Sequence, residues 1–367
     1  MTPKVYFTDF CTGTSETLPQ KLARLILSAG MDQIDFKNKF VAIKIHFGEL
    51  GNMAHLRSGY ARVLVDIIKD LGGKPFLTDA NTLYRGSRKN ALDHIETAYL
   101  NGFTPYSTGA HVIIADGLKG TDEVAVPVKD GVYVKEALIG RAIMDADIVI
   151  SLNHFKGHEE AGFGGALKNL GMGSGSRAGK KDMHDDCRPV VDADKCVACG
   201  ACADICAHGA PNLVDGKMFV DWNKCYGCGR CLDVCPVKAI AADNHDAALY
   251  LNYKIAEYAK AVVDGRPHFH ISLVRDVSPY CDCHAENDIP IVPDVGMFAS
   301  FDPVALDLAC ADAVNAQPVM PGSKLAKAAP SDQDNLTRDF PHTSWRAQIE
   351  HAKKIGLGED SYELVTI

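Results

Sequence analysis

The chain has 367 residues, 47% of them hydrophobic and 23% charged, with a formal net charge of −9 and a sequence pI of about 5.8. That length is too great for a small redox module alone and allows two or three domains around a large core. The mild acidic excess gives no sign of a nucleic-acid surface, no apolar run is long enough to span a bilayer, and Met1-Thr2-Pro3-Lys4-Val5 does not read as a secretory leader.

The first 187 residues alternate between strand and helix patterns. Lys4–Asp9 reads as a strand, and Ser15–Ala29 as a helix with Ser15 as N-cap and Gly30 as its stop. Phe40–Phe47 is β-rich. Gly59–Leu71 has helical apolar spacing and ends in Gly72-Gly73. Pro75–Thr78 reads as a strand and Ser87–Leu100 as a helix. Val112–Ala115 and Ile148–Leu152 are short apolar runs of the kind buried on both faces of a sheet.

Residues 188–243 carry eight of the thirteen cysteines, in two copies of one pattern. The first copy is Cys196-x2-Cys199-x2-Cys202-x3-Cys206. The second is Cys225-x2-Cys228-x2-Cys231-x3-Cys235, followed by Pro236. This is the bacterial ferredoxin spacing for two [4Fe–4S] clusters, in which the fourth cysteine of each run ligates the other cluster. One cluster is therefore expected on Cys196, Cys199, Cys202 and Cys235, and the other on Cys225, Cys228, Cys231 and Cys206. Zinc ribbons use CxxC pairs, not triplets followed by a fourth cysteine three residues on. So small a unit has little apolar core, and its clusters must hold it together.

The α/β rhythm resumes at residue 244. Ala247–Val263 and Pro303–Val314 read as helices, the second capped by Asp302, and a further helix is expected near Ser344–Ile355. Only His268–Val274 and Tyr362–Thr366 read as strands, too few for an independent sheet. The expected fold is thus an α/β domain with a largely parallel sheet, built from residues 1–187 and 244–367, with the ferredoxin-like module of residues 188–243 inserted.

Polar groups cluster at the predicted strand ends, where α/β sheets form ligand sites. Lys44 and His46 alternate onto one face. His154, Lys156, His158 and Glu159 follow the strand at residues 147–152. The loop Gly162-x-Gly164-Gly165-x2-Lys168 can present free amides to an anion, or can be a tight turn with packing glycines. Cys281-Asp282-Cys283-His284 follows the strand at residues 268–274. Two thiols one residue apart can share a metal, form a strained disulfide or line a pocket as inert groups. The candidate catalytic residues are His46, His154, Lys156, His158, Lys168, Cys281 and Cys283, and the candidate cofactor-binding residues are Gly162, Gly164, Gly165 and Lys168.

These segments resemble a family of bacterial and archaeal Fe–S centre proteins, in which a domain of unknown function is joined to a two-cluster ferredoxin. The matching stretches include Lys44-Ile-His46-Phe-Gly48-Glu49, Gly72–Tyr84, Asn153-His154-Phe-Lys156-Gly157-His158, Cys281-Asp282-Cys283 and Ile291–Gly296. The resemblance implies an iron–sulfur protein and no particular substrate. A shorter stretch, His158–Gly171, is similar to the glycine-rich loop of nickel-pincer-nucleotide lactate racemases. That similarity would make Lys168 a cofactor lysine with His46, His154 and His158 nearby.

The expected function is electron transfer through two [4Fe–4S] clusters to a substrate or cofactor in a His/Lys/Cys-lined pocket, with a further transition metal or phosphate-bearing cofactor as a candidate occupant. A redox partner protein and a small-molecule ligand are expected, with no nucleic acid and no membrane. Cluster thiolates need a reducing compartment, which points to the cytoplasm. The alternatives are a non-enzymatic electron carrier or scaffold, and a metal- or nucleotide-cofactor enzyme related in fold to lactate racemase.

Overall fold

The β-rich runs assemble into one eight-stranded sheet. In the computed structural model, which describes residues 2–367, the strands are β1 Lys4–Thr8, β2 Phe40–Lys44, β3 Lys74–Asp79, β4 Val112–Ile114, β5 Ile148–His154, β6 His268–Val274, β7 Gly296–Ser300 and β8 Glu363–Thr366. Their order is β8-β1-β7-β6-β5-β2-β3-β4. β7 runs against its neighbours β1 and β6, and the other pairings are parallel. The fold is α/β with a mostly parallel sheet, and the central strands are buried on both faces.

Side chains alternate across the sheet. Ile148, Ile150 and Leu152 pack with Leu22, Leu25, Leu64 and Ile68 from the helices Leu18–Ser28 and Ser58–Asp70. Val149 and Phe298 pack on the opposite face with Leu170, Ile255 and Leu306, from the helices Ala166–Ser174, Ala247–Val263 and Pro303–Asn315. The first two of these helices come so close that a Cβ at Gly171 would run into the Ile255 carbonyl oxygen.

Three expectations need correction. The first helix begins at Leu18 rather than Ser15, because Thr17 and Gln20 form a reciprocal capping box. The helix expected from Ser87 begins at Ala91, where the Asn90 side chain accepts from the Leu92 and Asp93 amides; Ser87 instead donates to Glu49. The C-terminal part holds three strands, not two. β7 was hidden by its brevity and by its lack of polar alternation, since all five of its residues are buried.

The sheet takes strands from both sides of the cysteine-rich segment. Pro189–Val191 pairs antiparallel with Ile240–Ala242, so the chain leaves and re-enters at one place. Replacing residues 190–241 by a two-residue turn should leave a remainder with a cooperative melting transition by far-UV circular dichroism. Residues 1–187 alone should not fold, because they lack β6, which separates β5 from β7. A stable monomeric 1–187 fragment would show that this half needs no strand from the other.

Candidate functional site

The carboxyl ends of the parallel strands deliver their polar residues to one region, as the sheet geometry requires. β2 ends in Lys44, which is wholly buried and reaches Asp79 at the end of β3 at 2.9 Å and Asn169 Oδ1 at 2.7 Å. Asp79 also meets Arg88 at 3.4 Å. Burial alone would raise the Asp79 carboxyl, but Lys44 and the histidines beside it hold it well below the usual carboxylate range. Arg88 is buried as well, pairing with Glu49 at 3.2 Å and donating to the Tyr84 hydroxyl at 2.5 Å.

Beyond this layer lies a cavity of about 100 Å³. His46, Tyr84, Arg88, Lys156, His158 and Lys168 form part of its wall, together with Lys180, Arg230, Glu159, Cys283 and Cys228. His46 Nδ1 accepts from the Gly48 amide at 3.0 Å. His158 Nδ1 accepts from the amides of Glu160 and Ala161 at 3.1 and 3.0 Å. Burial pushes both imidazoles well below their ordinary value; Arg88 adds to this at His46, while Glu159 opposes it at His158. Each neutral ring therefore carries its proton on Nε2. Lys180 is pushed down to about 8, by burial first.

Lys168 Nζ stands 3.2 Å from Cys281 Sγ. Burial opposes its charge, but Cys281, Cys283 and Glu159 outweigh this and raise its pKa. Cys283 is lowered to about 7 and Cys281 is raised, each thiol acting first on the other. Arg230, which lies between Cys228 and Cys231 in the sequence, donates to the Cys283 carbonyl at 3.2 Å and lies 2.9 Å from His284 Nδ1. Its guanidinium also stacks 5.0 Å from the Tyr84 ring centroid.

The cysteine-rich segment docks on this region. His208 Nε2 lies 2.8 Å from the Leu83 carbonyl oxygen. Gly227 packs so tightly on the His184 carbonyl that no Cβ would fit, and its φ of +70° suits glycine. Within the segment, one small cavity is lined by Cys196, Cys199, Cys202 and Cys235. A second is lined by Cys206, Cys225, Cys228 and Cys231. Amides donate to Cys206, Cys225 and Cys235 sulfurs at 3.4, 3.4 and 3.2 Å. Cys228 lines both the second of these small cavities and the cavity of about 100 Å³ that Lys156 and Lys168 border.

The structure gathers His46, Lys156, His158, Lys168 and Cys283 around one cavity, with Cys281 directly behind. His154 does not join them. Its Nδ1 faces both Asp282 carboxylate oxygens at 2.9 Å, and its Nε2 faces the Arg275 carbonyl at 2.7 Å. Both nitrogens are committed, so the ring holds Asp282 in place rather than meeting a ligand. The glycine-rich loop is also corrected as an anion site. Asp307 accepts from the Ala166 and Leu167 amides at 2.7 and 2.8 Å, so the protein's own carboxylate fills the start of that helix. A Cβ at Gly165 would strike Asp307 and one at Gly162 would strike Trp345, which makes both packing glycines. Gly164 leaves room for Lys156 and Lys168 to pass.

The sequence reading missed Tyr84, Arg88, Lys180 and Arg230. The first three lie in irregular or short segments with no periodic signal. Arg230 was legible only as a residue between Cys228 and Cys231. One metal-type trio occurs among the described residues: Glu159, Cys283 and His284 offer ligand atoms within 4.8 Å of one another. His284 Nε2 is already 2.7 Å from Glu159, and Arg230 stands at its other nitrogen. Among the described residues no helix is long and apolar enough to cross a membrane.

No curated protein matches the chain. It is similar to a crystal structure of a protein from Thermotoga maritima, with a TM-score of 0.42, 13% identity, and coverage of 82% of this chain and 58% of that one. It is also similar to the lactate racemase apoprotein from Thermoanaerobacterium thermosaccharolyticum, with a TM-score of 0.34, 12% identity, and coverage of 75% and 51%. The match thus spans between half and three fifths of the length of each of these proteins. Residues 41–312 match the family model DUF362, a domain of unknown function, and the chain belongs to that family.

Proposed function

We propose that this is an iron–sulfur redox protein in which two [4Fe–4S] clusters pass electrons to a small anionic molecule or cofactor in the cavity. When bound, such clusters supply one-electron transfer. The donor sets fit them. The quartets that line the two small cavities each combine three cysteines of one run with the fourth of the other. Amide–sulfur hydrogen bonds suit thiolate ligands.

The observation that carries the reading is Cys228, a ligand of the second cluster in this scheme and a wall residue of the cavity that Lys156 and Lys168 border. The first quartet has one edge open to solvent, at Cys199, while Cys202 and Cys235 are buried. Cys199 is exposed and its neighbour Val197 is 61% exposed. A redox partner protein would therefore deliver electrons at the first cluster, and the second would hand them to the cavity. Lys156, Lys168, Arg88 and Arg230 suit a carboxylate or phosphate there. A free-standing carrier needs no enclosed, charged cavity. Cluster thiolates require a reducing compartment, so this reading goes with the cytoplasm.

The test is EPR of the anaerobically reconstituted, reduced protein titrated with malonate or inorganic phosphate. The anion should alter the signal of the cluster on Cys206, Cys225, Cys228 and Cys231 and leave the other unchanged. Lys168→Met should weaken that binding by about 10- to 100-fold, as loss of a charged hydrogen bond implies. No perturbation by any small anion, with both clusters present, would remove the cavity from the electron path.

A further inference from the structure

The Cys281-Asp282-Cys283 turn stands where the cavity, a cluster cysteine and two cations meet. We propose that Cys281 and Cys283 form a redox-active dithiol that exchanges two electrons with the two clusters, one electron with each. The inference rests on the iron–sulfur reading above and adds a two-electron partner to it.

The backbone is folded for this. The His284 amide donates to the Cys281 carbonyl at 2.9 Å, closing a turn over residues 281–284. Such a turn brings the first and third Cα atoms into the range of about 4.4–6.8 Å that a disulfide bridges. Asp282 between them is fully buried and pinned by His154 at 2.9 Å and Lys156 at 3.4 Å. That gives His154 a positioning role: it holds the turn that aims the sulfurs.

The surroundings favour sulfur chemistry over a metal ion. Lys168 Nζ is 3.2 Å from Cys281 Sγ, and the Arg230 guanidinium is bonded to the Cys283 carbonyl. Two cations stabilise a thiolate and repel a divalent ion. The trio Glu159, Cys283 and His284 would need Arg230 displaced to hold one. The two sulfurs are also unequal. Cys283 lines the cavity alongside Cys228, while Cys281 is 1% exposed. Cys283 is thus the thiol that a cavity ligand meets, and Cys281 is the one that closes the disulfide behind it.

The balance is simple. On oxidation the two S–H bonds break, one S–S bond forms, two protons pass to bulk water, and two electrons leave. Two one-electron [4Fe–4S] clusters take one electron each. In reverse, the two electrons and two protons regenerate both thiols. A cluster pair that stores two electrons matches a dithiol that needs two.

The test uses the full-length, anaerobically reconstituted protein and two readouts. Reductive titration of the oxidised wild type should consume about four electrons per chain, two by the clusters and two by the disulfide, while Cys281→Ser and Cys283→Ser should each consume about two. Iodoacetamide labelling with peptide mass spectrometry should modify Cys281 and Cys283 only after reduction, a result that needs no variant. Two electrons in the wild type, with both thiols alkylated before reduction, would overturn the dithiol while leaving the clusters intact. A stoichiometric additional metal lost in Cys283→Ser would overturn it in favour of the metal trio. Absence of iron in the wild type would instead remove the iron–sulfur reading itself.

Discussion

Cys206→Ser should abolish the cluster held by Cys225, Cys228 and Cys231, not the one belonging to its own run. The wild type, reconstituted anaerobically, should carry about eight iron and eight acid-labile sulfide per chain. Cys206→Ser and Cys235→Ser should each lose roughly half, or convert one cluster to a three-iron form. Cys206 shares its cavity with the second run, and Cys235 shares its cavity with the first. The reason lies in the backbone. A short helix, Ala201–Ile205, follows Cys199 and Gly200, and the extended backbone at Cys206 then carries the chain away from its own triplet. The equivalent positions Ala198 and Gly227, then Gly200 and Gly229, all have positive φ. The two runs thus repeat one local backbone conformation. EPR of the reduced variants separates the two clusters. If each fourth cysteine disturbs only its own run's signal, the crossed assignment fails. Stoichiometric zinc with little sulfide would defeat it altogether.

The site was legible in the sequence to the extent that its chemistry was local. Cysteine spacing names a cluster because ligands three residues apart must wrap one object. His46, Lys156, His158, Lys168 and Cys283 were legible because they follow strands, and a parallel sheet gathers such loops at one edge. What local pattern does not carry is the direction in which a side chain turns. His154 and His158 are separated by four residues after the same strand. One is consumed by Asp282 and Arg275, and the other borders the cavity. The helix start after the glycine-rich loop is filled from elsewhere in the chain, while Gly165 and Lys168 border the cavity. Its amides looked free because Asp307, which fills them, lies about 140 residues further on in the Pro303–Asn315 helix. Arg88, Lys180 and Arg230 were invisible because three chain segments, remote in sequence, converge on the cavity. Strand β7 was missed because the helices Leu18–Ser28 and Pro303–Asn315 cover its two faces, leaving no polar alternation to read.

Asp79→Ala should destabilise the α/β domain by about 3–5 kcal/mol, the usual cost of removing one partner from a buried ion pair. Lys44 is 0% exposed, so without Asp79 its ammonium has no counter-charge within reach and no water. Burial already pushes the Lys44 pKa down, and in the variant it should deprotonate rather than stay charged. Arg88 would keep Glu49 but lose its contact with Asp79 at 3.4 Å. Urea unfolding followed by far-UV circular dichroism measures the loss. Replacing both partners, as Lys44→Met with Asp79→Leu, should recover much of it, because two apolar groups leave no charge stranded. The pH dependence has a definite sign. The Asp79 pKa is depressed in the folded state, so its stabilisation is fully present above the unfolded value of about 3.9 and is lost as pH falls below that toward the folded value. Lys44 of the variant is neutral when folded and takes up a proton on unfolding, so the variant loses stability as pH falls from about 10, and the difference from wild type should grow on acidification through neutral pH and then shrink below about 4 as Asp79 protonates. A difference that stayed level between neutral pH and about 5 would mean that Lys44 keeps its charge in the variant.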